Sequence, residues 1–220
     1  LRAGPGGRKP GPGVESLHPV SGRNFDLTDT TLSFIAEDGG HDVIYVQRFD
    51  HAAVPEPCSD KGKRASLICA WDVDFSLRPR RTLRVDKHGL LTVDALAISP
   101  DGRSLAFIGL TKKGQKDLFL VPSLDDDNLS LVRLTNDVAA EREVSWGPKG
   151  IIFTSNATGH GKFNLFQVDP QLPTRITRLT HEARDVFDPE MLPNGRVLFV
   201  AYDDAGANIY EVKDGALLRH

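Results

Sequence analysis

The sequence predicts an all-β chain built from a repeated unit, on three observations. The turn Ser99-Pro100-Asp101-Gly102 recurs as Gly147-Pro148-Lys149-Gly150 and as Leu192-Pro193-Asn194-Gly195, with the closing glycines 48 and 45 residues apart. Short runs of Val, Ile, Leu and Phe follow each turn, with Gly, Pro and polar residues between them, which is the rhythm of short strands. No amphipathic helical stretch of useful length interrupts them.

Taken in order, residues 1–13 hold five Gly and three Pro, with Arg2, Arg8 and Lys9. Such a composition cannot build a core, so 1–23 is read as a flexible arm or linker. A degenerate unit spans 24–90. Its first strand is Phe25–Leu27 and its second is Leu32–Ala36, joined through Asp29-Thr30-Thr31. Two segments compete for its third strand, Val43–Val46 and Leu67–Asp74; both are read as strands, with 50–64 as an insertion. Arg81-Thr82-Leu83 is its fourth. Cys58 and Cys69 lie in this irregular stretch, and a disulfide or two free thiols fit equally well.

Three clearer units follow, at 91–136, 137–181 and 182–220. Their first strands end at the Pro-containing turns, where Pro pre-sets one φ and Gly accepts a positive one. The second strands are Leu105–Ile108, Ile151–Thr154 and Val197–Val200. Polar turns with Gly114, with Gly159 and Gly161, and with Gly206 lead to third strands Leu118–Val121, Leu165–Val168 and Ile209–Val212. Arg-Leu-Thr marks the fourth strand twice, at 133–135 and 178–180, and Leu217–His220 reaches the same place in the last unit. A four-stranded sheet cannot bury both faces alone. Sheets of fixed period stacked around an axis can, which is the β-propeller solution. The expectation is about four blades, either a four-bladed ring or part of a six- or seven-bladed one.

The segments SPDGRSLAFIG at 99–109, KDLFLVP at 116–122 and LVRLT at 131–135 closely resemble the TolB-type propeller repeat. Trp146 stands at the tryptophan position of that repeat, and Met191-Leu192 shows the third copy without it. Asp185 and Phe187-Asp188-Pro189 look like its acidic connection between blades. The resemblance covers 90–220 well and 24–90 loosely. It implies a repeat type shared by periplasmic TolB-like proteins, tricorn-like proteins and the propellers of prolyl oligopeptidase-like enzymes.

Several chemistries find no support. The formal charge of −3 disfavours nucleic acid. The local basic cluster Arg78, Arg80, Arg81, Arg84 and Lys87 lacks an aromatic platform. No G-x-S-x-G pentapeptide accompanies Ser155, His160 and His181. His181-Glu182-Ala183-Arg184-Asp185 would need a helix to ligate zinc, and Asp125-Asp126-Asp127-Asn128 does not fit a calcium loop. No catalytic residue, metal or cofactor is expected. No apolar run is long enough to span a membrane.

The expected function is a non-enzymatic scaffold for protein–protein interaction in a bacterial periplasmic or extracellular assembly. Its partner-binding residues are placed on the fourth-to-first connections: Asp137, Glu141 and Arg142 on one, His181, Arg184 and Asp185 on the next. Two alternatives stand beside it. One is a regulatory propeller of a prolyl oligopeptidase-like or tricorn-like peptidase whose catalytic domain lies elsewhere. The other is a structural subunit that completes its ring as a homo-oligomer or within a larger complex.

Overall fold

The computed structural model describes residues 23–48, 81–213 and 216–219. They form sixteen strands in four sheets of four. Blade 1 holds β1 (Arg23–Leu27), β2 (Thr31–Asp38), β3 (His41–Arg48) and β4 (Arg81–Arg84). Blade 2 holds β5 (Leu90–Ile98), β6 (Leu105–Thr111), β7 (Lys116–Val121) and β8 (Val132–Arg133). Blade 3 holds β9 (Glu141–Gly147), β10 (Gly150–Ser155), β11 (Asn164–Val168) and β12 (Ile176–Arg178). Blade 4 holds β13 (Val186–Met191), β14 (Val197–Asp203), β15 (Gly206–Lys213) and β16 (Ala216–Arg219). Each is an antiparallel meander in chain order. The third strand of blade 1 is the Val43–Val46 segment, inside β3; Leu67–Asp74, the 50–64 insertion, Cys58, Cys69 and the 1–22 arm lie outside the described residues.

Local chemistry explains the hairpins. After β5, Gly102 sits at φ 70° and its N–H donates to the Ser99 carbonyl at 2.8 Å. The Asp101 carboxylate accepts the Ser99 hydroxyl at 2.6 Å and the Arg103 N–H at 3.0 Å, which locks the turn. Blade 3 uses a tighter version, with Gly147 and Gly150 paired across Pro148-Lys149. Gly150 takes φ 109°, and a Cβ there would stand 2.6 Å from the Val168 carbonyl oxygen. Gly206 has the same backbone, φ 110°, with open space around it. Gly150→Ala is therefore expected to cost about 2–3 kcal/mol, and Gly206→Ala about 1 kcal/mol less. Paired urea melts check this, and equal losses would mean that strain alone matters. The repeated Arg-Leu-Thr ties the fourth strand to the third through its threonine. Thr135 and Thr180 each accept, at 2.9 Å, the N–H of Leu118 and Leu165 in the third strand of their own blade.

The core lies between blades. Blades 2 to 4 each turn a leading face, carrying a stacked aromatic pair on the second and third strands, onto the trailing face of the blade before. Phe107 and Phe119, centroids 5.5 Å apart, pack with Leu105 and Val121 on Ile35, Ile44 and Val46 of blade 1. Phe153 and Phe166, at 5.9 Å, pack with Ile151 and Val168 on Ala106, Ile108, Leu118 and Leu120 of blade 2. Phe199 and Tyr210, at 5.8 Å, join Ile152 and Leu165 of blade 3. The first strands follow one another: β1 lies on β5, β5 on β9 and β9 on β13, whereas β13 and β1 make no comparable contact among the described residues. The blades thus form an open arc.

Candidate functional site

A groove runs along the inside of the arc, lined by the first strand of every blade. One end, of about 680 Å³, is bounded by Phe25–Asp29, Leu96–Ile98, Val144–Pro148 and Glu190–Met191. The other, of about 540 Å³, is bounded by Asn24, Asp94, Lys116, Arg142, Glu143, Asp188 and Glu190 among others. The polar residues arrive there by a shared irregularity. In all four first strands the pairing with the second strand slips at this level: between Arg23 and Phe25, between Val93 and Ala95, opposite Phe153–Ser155, and between Phe187 and Glu190. A bulge adds a residue to one strand and re-aims its side chain. Here the residues in or beside the slips are Asn24, Asp94, Arg142 with Glu143, and Asp188. Asn24 and Asp188 take positive φ, 44° and 47°.

The groove is rich in carboxylates. Burial pushes the Glu143 carboxyl up, against a hydrogen bond from the Thr154 hydroxyl, and the charge of Asp188 adds to the rise. Glu190 is raised as well, first by burial and then by Asp26 across the arc, although the Ser145 hydroxyl donates to it at 3.1 Å. Two cations stand among these acids. Lys116 pairs with Asp94, and the Arg142 guanidinium lies 3.7 Å from the Phe163 ring centroid. A site of this kind can hold an extended, polar or positively charged segment through several charge-assisted hydrogen bonds at once.

The residues singled out by the sequence fall into two groups. Arg142 and Asp185 meet at Phe163: the guanidinium covers the ring, and the Asp185 carboxylate accepts the Phe163 N–H at 2.9 Å, with Lys162 at 3.5 Å. Arg184 donates to the Tyr202 carbonyl at 2.8 Å on blade 4. His181 and Asp137 are exposed on the same end of the arc. Glu141 departs from the sequence expectation. It is 1% exposed, because it opens β9 facing the blade 2 interface, where it accepts hydroxyls of Ser155 at 3.0 Å and Thr135 at 3.2 Å. Its carboxyl does not reach a partner-facing surface. Burial, with Asp137 and Asp117 nearby, pushes it up to about 7. The sequence did not single out Asn24, Asp26, Asp94, Glu143 or Glu190. The only signal for them was position: each lies in a first strand, a few residues before a turn, where a bulge is invisible without the pairing.

A cavity of about 800 Å³ lies between blades 1 and 2. In its walls Arg48 pairs with Asp125 and Arg81 with Asp127. Among the described residues no group of His, Cys, Asp and Glu is arranged to hold a metal ion, and no helix is long and apolar enough to cross a membrane.

No protein-family model matches the chain, and no curated protein does. Solved structures do match. TolB from Acinetobacter baumannii superposes with a TM-score of 0.59 at 17% identity, over 91% of this chain and 43% of that one. The β-propeller domain of the Trilobed protease from Pyrococcus furiosus, described as having an open velcro topology, gives 0.53 at 10% identity, over 90% of this chain and 56% of that one. An acylaminoacyl peptidase in complex with Z-Gly-Gly-Phe-chloromethyl ketone gives 0.52 at 10% identity, over 90% of this chain and 32% of that one. The chain therefore spans about half or less of each. The shared feature is the fold: these are β-propeller blades of the kind found in TolB and in peptidase propellers.

Proposed function

We propose that the protein is a non-enzymatic interaction module that receives a segment of a partner protein in its inner groove, within a bacterial periplasmic or extracellular assembly. The observation that carries this reading is the set of aligned bulges, which gather polar side chains from all four blades on one surface. A bulge repeated at one level of every blade costs ladder hydrogen bonds four times over, which favours a use for the side chains it redirects. The match to TolB supports the setting, and the excess of acids over cations in the groove supports a partner segment carrying Lys or Arg.

The test is site-specific photo-crosslinking in cells of the source organism. A crosslinker at Asp188, in the groove, is expected to give one discrete protein adduct. The same crosslinker at Asp169, on the distant turn after β11, is expected to give none. Changing Glu190 to Lys should suppress the adduct at least tenfold, about 1.4 kcal/mol or more of binding, with the melting temperature nearly unchanged. Equal adducts at both positions, or an adduct indifferent to E190K, would reject the reading.

A second reading is supported by the likeness to peptidase propellers. In it the groove gates substrate for a hydrolase domain. An adduct that proves to be such a domain, with peptidase activity in the isolated pair, would favour this over the scaffold.

A further inference from the structure

One blade junction departs from the other two at a single level. The second strands place Ala36, Gly109, Ser155 and Ala201 at this level in blades 1 to 4. Beside them the third strands set Val43, Asp117, Asn164 and Asn208, and the first strands of blades 2 to 4 set Val93, Glu141 and Val186. The third strand of each blade packs on the first strand of the next. The three junctions therefore match Val43 to Val93, Asp117 to Glu141, and Asn164 to Val186, and all six residues are buried. Two junctions close with no ionisable group at this level, so packing does not call for the acids of the third. Buried carboxylates cost stability that a valine does not. A local break with the repeat marks a use.

The two acids are short of hydrogens. The Thr135 hydroxyl lies 3.5 Å from the Asp117 carboxylate and 3.2 Å from that of Glu141, with one hydrogen to give to both. Ser155 donates to Glu141 at 3.0 Å, and Arg133 pairs with Asp117. Asp137, in the connection, adds a third negative charge. No other element supplies a counter-charge. β6 and β10 hold no charged residue. Asp94 on β5 is paired with Lys116 of β7, and on β13 Asp188 acts on Glu143 while Glu190 accepts from Ser145. On β9 itself Arg142 covers Phe163, and Glu143 accepts from Thr154. Two neighbouring acids with one hydroxyl between them do not both stay ionised in place. We propose that Asp117 and Glu141 form a proton-operated latch between blades 2 and 3: one proton held by the pair keeps the start of β9 on blade 2, and its loss to water releases residues 139–143 and lifts Arg142 off Phe163 at the mouth of the inner groove. Glu141 is the member that moves, because it opens its strand beside the exposed Asp137 and Val138. Asp117 is held by Arg133 and by the ladder with β6. The latch acts whether or not the groove receives a partner.

Hydrogen exchange of the native polypeptide, read by mass spectrometry at pH 6 and pH 8, tests this. Each rate is divided by that of the unfolded chain at the same pH, so that it reports local opening. Burial in the closed latch raises the Glu141 carboxyl from 4.5 to about 7, and release returns it to its ordinary value. The open form therefore binds fewer protons, and opening is expected to be about tenfold more frequent at pH 8 than at pH 6. Residues 139–143 should lose protection by that factor. Residues 186–188 are the reference, because Val186 fills the place of Glu141 in the next blade, and their protection should hold. Glu141→Gln, and Glu141→Val with the residue of the sister junctions, should each abolish the change. Three results would overturn the proposal: protection at 139–143 that is independent of pH, a loss of equal size at 186–188, or a pH response that survives in either variant.

Discussion

Phe153→Ala is expected to destabilise the protein by about 3–5 kcal/mol, a large part of the margin of a domain this size. Phe153 is 1% exposed at the middle of the junction between blades 2 and 3. Its ring stacks on Phe166 and fills the space over Ile108 and Leu118. Truncation leaves a cavity that two hydrogen-bonded sheets cannot close by moving, because each is held by its own ladder. Phe34 offers the internal comparison. It is the same position of the repeat in blade 1, stacked on Tyr45 with centroids 5.2 Å apart, but it is only half-buried. Phe34→Ala should cost about 1–2 kcal/mol, since water already reaches part of the ring. Urea denaturation of both variants reads the difference. A Phe153→Ala loss no larger than that of Phe34→Ala would mean that the blade junction is not the core.

Stability is expected to fall as pH rises from 5 to 8, and Glu141→Gln is expected to remove much of that fall. Burial between blades 2 and 3 raises the Glu141 carboxyl from 4.5 to about 7. Between those values the unfolded chain has released this proton and the folded chain still holds it. Folding then takes up a proton, so raising the pH works against the fold. The loss starts near the unfolded value and is complete above the folded one. Its size is on the order of 3 kcal/mol. Burial also raises Asp117, Glu143 and Glu190, which titrate in the same sense, so the variant should retain part of the slope. Asp101 and Asp203 are lowered by hydrogen bonds and act below this window. Melting temperatures of wild type and Glu141→Gln at pH 5, 6.5 and 8 decide the matter. A wild-type profile that is flat or rising would show that Glu141 is ionised in the fold.

The two residues illustrate how far the sequence carries. Phe153 was legible, because it recurs at the repeat period with Phe107 and Phe199, and an aromatic that recurs with a strand repeat belongs to a core. Glu141 was not. Its place in the fourth-to-first connection between two blades points, in the sequence, to a partner-facing loop. The structure turns the two neighbours opposite ways, Arg142 outward over Phe163 and Glu141 inward to Ser155 and Thr135. Adjacent strand residues point to opposite faces, so a slip of one place in where a strand begins exchanges rim for core.

By itself the sequence determined the all-β class, the four-stranded unit, its turns and the aromatic positions of its core. Each of these rests on residues close together in the chain: Pro and Gly fixing a turn, alternating apolar side chains choosing a strand. Tertiary structure alone decided which segment supplies the third strand of blade 1, that the arc is open, and which carboxylates meet on its inner side. Those outcomes depend on interactions between residues a whole repeat or more apart, such as the Asp26 hydrogen bond with Ile98 and the effect of the Asp26 charge on Glu190. They also depend on bulges, which exist only in the pairing of two strands and leave no mark in either strand read alone.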